Sequence, residues 1–302
     1  MKKYIFAFLM ICLGVSHIQA QLLYKISGNG LQKPSYIIGT HHFADVHFVN
    51  QIKGVNDALA ATEQVYGELD MTDMMSTKNI TKMQTAMMLP KDTTLMDLLT
   101  SDQQQRLKDC LKELMGADMR NAQVAALINR MTPSALSTQL TLSMYLKNHQ
   151  GEFDPMASFD QYFQTQAKAN HKPVGGLETV DFQIKALFLG QPLARQVQLL
   201  MCLVDHLSMI QQMQEDLTKA YYKQDLDGIK AAMDEKLNNS CDGTPEEAAV
   251  MIDNRNTDWT KKMPAIMAAH PTFFAVGAAH LPGDHGVLTL LKQVGYTVEG
   301  VK

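Results

Sequence analysis

Two four-residue segments carry the side chains best suited to chemistry. Gly39-Thr40-His41-His42 follows the apolar run Tyr36-Ile37-Ile38, and Gly277-Ala278-Ala279-His280 follows Thr272-Phe273-Phe274-Ala275-Val276. Glu68 and Asp70 come directly after a third run of this kind, and Glu178 after a fourth at Pro173-Val174-Gly175-Gly176-Leu177. If these runs are strands, every one of these groups stands just past a carboxyl end, where open α/β sheets bind their ligands. The glycines let the backbone turn sharply or approach a ligand there. Two imidazoles and a carboxylate move protons near neutral pH or hold a divalent ion with positions left open. The competing reading is a pair of histidines that cap strand ends and bond backbone carbonyls. The Gly-x-x-His spacing decides little by itself, because Gly14-Val15-Ser16-His17 matches too. Strand context is what separates the other two.

The elements that must position these groups bracket the chain. Leu22 to Ser27 and Tyr36 to Gly39 read as a hairpin, with turn chemistry at Gly28-Asn29-Gly30 and Pro34. A helical stretch at Ile52 to Thr62 leads to a strand at Gln64 to Leu69. Near the end, Thr272 to Val276 and Tyr296 to Val301 flank a helical Gly286 to Gln293. Strands alternating with helices predict an α/β fold with a central mixed sheet, flanking helices and a large helical insertion at about 75–270. Within it, Thr132-Pro133 caps a helix over 134–147. Thr244-Pro245-Glu246-Glu247 is a capping box opening the helix that carries Arg255 and Trp259. No repeat or linker divides the mature chain, so it reads as a single domain.

Lys2 and Lys3 before the apolar Tyr4 to Val15 form a secretory leader, residues 1–20, too short to span a bilayer. The mature protein is therefore expected to be exported, periplasmic or secreted, with no stable membrane span after cleavage. The 27 basic and 31 acidic residues give no field to hold a phosphate backbone, so a nucleic-acid partner is excluded. Cys110, Cys202 and Cys241 allow at most one disulfide. Cys202, in an apolar helical pattern, reads as a buried free thiol. The 21 methionines cluster at Met71, Met74, Met75, Met83, Met87 and Met88 as packing residues, expected to build one wall of a cleft.

The chain resembles the TraB/GumN family, relatives of the Tiki metalloproteases and more distantly of erythromycin esterases and ChaN-type haem-binding proteins. The likeness rests on Tyr36 to His42, Gly67-Glu68-Leu69-Asp70, Gly176-Leu177-Glu178-Thr179, Arg255-Asn256 with Trp259, and Val276 to Gly283. It implies metal binding and catalysis by His42, His280 and Glu68, with Glu178 and Arg255 in support. His41 is an extra imidazole where the family often has an apolar residue; the spacing favours His42. His285 reads as a solvated loop residue.

On that resemblance the chain is a metal-dependent, peptidase-like hydrolase using a divalent ion, with Mn, Co and Zn left open. The ion would polarise an amide carbonyl and acidify water. One of Glu68 and Glu178 would carry the proton, and Arg255 would stabilise an oxyanion or anchor a substrate carboxylate. The helical His-Glu-x-x-His pattern of thermolysin-type sites is absent. Two alternatives stay open: a metal-independent esterase-like hydrolase with His42 or His280 as general base, and a non-catalytic protein that binds a peptide or haem. The partner is a peptide or small-molecule substrate.

Overall fold

The computed structural model describes residues 21–152 and 158–302; the expected leader at 1–20 lies outside the described residues. Six strands form one mixed sheet: β1 (Leu23–Gly28), β2 (Ser35–Thr40), β3 (Gln64–Gly67), β4 (Val174–Gly176), β5 (Thr272–Gly277) and β6 (Tyr296–Gly300). Their order is β4-β3-β5-β2-β1-β6. The hairpin forms as expected, with Tyr24 opposite Ile37, and β6 closes the edge antiparallel to β1. β2, β5, β3 and β4 are mutually parallel. Their carboxyl ends therefore line up along one edge, and the residues after Thr40, Gly67, Gly176 and Gly277 become neighbours. β5 lies between β2 and β3, so the helix Val55–Ala61 crosses over a strand contributed from more than 200 residues further along.

β2 and β5 are apolar almost throughout, as strands covered on both faces must be. Ile37, Ile38, Phe273, Phe274 and Val276 are fully buried, packed with Trp259 and Met263 from the helix Asn254–Ala269. A second core lies within the helices Ser101–Met115, Ala122–Arg130, Pro133–Asn148 and Leu193–Asp205, around Leu107, Leu111, Leu136, Leu140 and Leu200. The helical part thus stabilises itself instead of leaning wholly on the sheet. Thr132 caps Pro133–Asn148 by accepting from the Ala135 amide, and the Thr244–Glu247 capping box is complete. No single helix among the described residues is long and apolar enough to cross a membrane.

One expectation is corrected here. Cys202 is joined to Cys241, and the free thiol is Cys110, buried and pushed up to about 11 by that burial. The helix bearing Cys202 is apolar on its inner face only; its outer face meets the turn at 238–243. Arg195 reinforces the staple by donating to the Ser240 and Asp242 carbonyls and to Glu247. The bridge thereby fixes the start of the helical path that leads to Arg255.

A second tie holds the loop after β2. The Tyr145 hydroxyl donates to the Phe43 carbonyl at 2.8 Å, and the Tyr145 ring stacks between Phe43 and His149. His149 bonds Glu152 and Glu215, each at 2.7 Å, through its two nitrogens, which only the imidazolium can do as a double donor. Burial pulls its pKa down, but the two carboxylates outweigh it and the net shift is upward.

Reduction of the disulfide, or Cys241→Ser, should lower unfolding stability by about 3–4 kcal/mol for a loop with a 39-residue separation, measured by urea titration with and without reductant. His149 has its folded pKa above its unfolded one. Its contribution is full below the unfolded value of about 6.5 and fades as pH rises through the folded value. His149→Gln should therefore cost about 2 kcal/mol near pH 6 and progressively less at alkaline pH, read as the gap between wild-type and variant denaturation midpoints across pH.

Candidate functional site

Glu68, Glu178 and His280 converge at the carboxyl ends of β3, β4 and β5 on one buried side chain, Arg255. The guanidinium comes from the first turn of Asn254–Ala269, which continues from Pro245–Ala248 through a π-helical turn, Ala249–Asp253. Such turns bulge a helix and re-aim its side chains. Arg255 Nε donates to Glu178 Oε2 at 3.0 Å; Nη2 donates to Glu178 Oε1 at 2.7 Å and to Glu68 Oε2 at 2.6 Å. Nη1 donates to the Met251 carbonyl and to His280 Nε2, each at 3.1 Å. All five N–H bonds of the guanidinium are spent. Arg255 has none left for an oxyanion or a substrate carboxylate, so its place is that of an internal clamp.

Glu178 is equally committed. Its carboxylate is 2% exposed and takes two Arg255 nitrogens, the Trp259 indole N–H at 3.2 Å and the Gln183 amide at 3.1 Å. Its oxygens hold the clamp, which leaves Glu68 as the acidic group facing the cleft. Glu68 Oε1 accepts the Gly277 N–H at 2.8 Å and stands 3.8 Å from His280 Nε2. Gly277 leaves room for this approach, since a Cβ there would lie a tight 3.2 Å from Glu68 Oε1. Burial alone would raise the Glu68 pKa. The Arg255 guanidinium, the His42 imidazolium and the Gly277 amide overcome that, and the carboxyl sits below its usual range.

The protonation of His280 follows from its neighbour. Asn256 uses its amide nitrogen to donate to the carbonyls of His280 and His285, so its oxygen faces His280 Nδ1 at 2.7 Å and can only accept. Nδ1 therefore bears the hydrogen and Nε2 the lone pair. Burial holds the ring neutral, with its pKa lowered to about 4. Trp259 covers it, ring centres 4.4 Å apart.

His42 and His41 separate cleanly. His41 packs against Tyr221 and Phe43, its Nδ1 accepting the Phe43 N–H, and burial lowers it to about 4. His42 is 69% exposed within the cleft, with Nδ1 2.5 Å from Asp160 Oδ2; Asp160 Oδ1 accepts from Thr40. The Asp160 charge, then its hydrogen bond, pushes His42 up to about 9. Asp70 turns away to cap the short helix Met71–Met74, and the His285 carbonyl, an Asn256 acceptor, is its link to the site.

Asp160 and Gln183 escaped the sequence reading, since neither sits at a strand end or in a patterned segment. Asn256 and Trp259 belong to a recognisable motif, yet their bonds to His280 and Glu178 depend on the π-helical turn. The floor so formed opens into a cleft of about 620 Å³. Methionines do line it, but they are Met213, Met233 and Met251; Met71 and Met74 line a smaller pocket of about 170 Å³ on the other side of Glu68 and His42.

Among the described residues no three His, Cys, Asp or Glu side chains are grouped closely enough to enclose a metal ion. Arg255 stands between Glu68, Glu178 and His280, and His42 turns to Asp160. The donor chemistry nonetheless suits a divalent cation. Each imidazole has its Nδ1 engaged by an acceptor, Asp160 or Asn256, as metal-ligating histidines do. Two carboxylates against one guanidinium also leave the floor one negative charge in excess. Glu68, His280 and, when neutral, His42 are the residues that fit.

A sequence model of the TraB/PrgY/gumN family matches residues 22–300. Similar proteins include a metalloprotease TIKI homolog of Nematostella vectensis, 27% identical over 89% of this chain and 65% of its own length. Metalloprotease TIKI2 of Danio rerio is 28% identical over 88% and 58%, and metalloprotease TIKI1 of Homo sapiens 27% over 88% and 59%. The chain thus spans less than two thirds of these relatives. No solved structure matches it.

Arg255→Met should leave Glu68 and Glu178 buried without their cation and cost about 3–5 kcal/mol of stability, measured by chemical denaturation. A loss under about 1 kcal/mol would contradict the clamp.

Proposed function

As the chain belongs to the TraB/PrgY/gumN family, we propose that it is a peptidase-like hydrolase acting in an exported compartment with a divalent cation at the cleft floor. The observation that carries this reading is the convergence of His280, its ring set by Asn256, and an ionised Glu68 at the floor of a mainly apolar cleft; a cation would take the His280 Nε2 lone pair in place of the Arg255 donor. His280, Glu68 and a deprotonated His42 would hold the cation. When bound, a divalent cation polarises an amide carbonyl and makes water a nucleophile near neutral pH.

The chain's own residues supply the remainder. Glu68, its carboxyl held below the usual range, keeps one oxygen on Arg255 and the other on the Gly277 N–H, which fixes the carboxylate that would hold the cation. Arg255 and Glu178 keep that carboxylate and the His280 ring in fixed relation, so little reorganisation accompanies charge development. The apolar walls exclude water around a bound amide. A disulfide in a cytosolic protein is uncommon, so Cys202–Cys241 supports the exported compartment.

One observation favours a second reading, the metal-independent hydrolase. The His42–Asp160 pair keeps His42 protonated at neutral pH, which suits a general acid that gives its Nε2 proton to a leaving group. The two readings part on chelation.

Purified protein is assayed on a peptide library before and after dialysis against chelator. Loss of turnover, restored by Mn, Co or Zn, is the expected result; undiminished turnover would select the metal-independent reading. His42→Ala, Glu68→Ala and His280→Ala should each lower kcat/KM by about 10²-fold or more with the fold retained. Activity preserved in any two of them would overturn both.

A further inference from the structure

The cleft above the floor has walls that are mainly apolar, with Thr141 and Gln214 as uncharged polar exceptions. Leu187 comes from a second π-helical turn, Lys185–Leu189; Ile210, Met213 and Leu217 from the helix Leu207–Tyr222; Met233 from Leu226–Asp234; and Met251 from the π-helical turn that aims Arg255. The charged groups that line the cleft are confined to the floor: His42, Glu68 and Arg255, the last two paired with each other. Lys185 and Asp253, carried on the same two turns as Leu187 and Met251, stay out of the lining.

Leu187 is 43% exposed and Met251 36%. Two large apolar side chains held open on adjoining π-helical turns of one cavity form a surface that gains from being covered by an apolar group. A charged side chain held against them would lose its water and find no ionic partner on the walls, since the charged groups lie at the floor. Methionine at three wall positions adapts to groups of different shape. The volume, about 620 Å³, lies within the range of about 300–1,000 Å³ typical of ligand sites.

We propose that this cleft selects peptide substrates with a bulky apolar side chain, such as Leu, Met or Phe, beside the scissile amide, and rejects Asp, Glu, Lys and Arg there. The proposal rests on the hydrolase reading for the word substrate, but the binding preference follows from the walls alone. Selection operates by desolvation: every apolar residue of sufficient size is accepted with little distinction, and charge is refused.

The test uses end-blocked, dansyl-labelled hexapeptides that differ at one central position, with both binding by fluorescence anisotropy and cleavage measured on the intact protein. Leu and Phe peptides should bind at least about 10-fold tighter than Asp or Lys peptides, the scale of discrimination an apolar pocket provides. Leu187→Glu, at an exposed position, should erase that preference without changing the thermal midpoint by more than a few degrees, and Met213→Glu should erase it from the helix Leu207–Tyr222. Equal affinity of wild type for Leu and Asp peptides, or a preference surviving both variants, would overturn the proposal. Apolar-selective binding without cleavage would sink the hydrolase reading and leave this one standing. Cleavage indifferent to the central residue would do the reverse.

Discussion

A single buried cation organises this protein. Arg255 is 6% exposed, and a guanidinium removed from water is tolerable only if nearly every donor finds a partner. The partners arrive from three separated segments: Glu68 behind β3, Glu178 behind β4 and His280 behind β5. Satisfying one side chain therefore demands that these strands lie side by side, end level and start from the same face of the sheet. The apolar runs provide the sheet. The guanidinium sets which residues meet at its edge and in what orientation.

That constraint explains which parts of the site could be read from the chain. Strand ends were legible because an apolar run followed by Gly-x-x-His changes character at a definite residue, and sheet topology carries such residues to one edge. His42 and His280 stand out in this way, and Glu68 and Glu178 by their place just past an apolar run; all four lie at that edge of the sheet. Their division of labour was not legible, because it depends on hydrogen-bond saturation. Nothing in the sequence around Arg255 reveals that all five donors are spent, or that Glu178 is locked behind it. Asp160 was illegible for a different reason: it reaches His42 from a helix 118 residues away, with no local pattern to mark it.

The helical part follows the same logic. Caps at Thr132 and Thr244 are local chemistry and appear where the sequence places them. Pairing of Cys202 with Cys241 is non-local, and an apolar helix pattern describes the face toward the core while saying nothing of the face turned outward. The methionines teach a similar lesson. Of the dense group at 71–88, Met71 and Met74 line the smaller pocket while Met75 and Met88 stay exposed, whereas the main cleft draws single methionines from three separate helical segments.

The floor of the cleft and its walls have separate origins. Floor residues sit at the ends of parallel strands, each followed by a connection that loops away over the surface. The apolar walls come from the connection between β4 and β5, which shares a hydrophobic core around Leu107, Leu140 and Leu200 with the connection before it. A lineage carrying this fold can therefore lengthen, shorten or replace a wall while the strand ends stay in register, so specificity and chemistry are free to diversify at different rates.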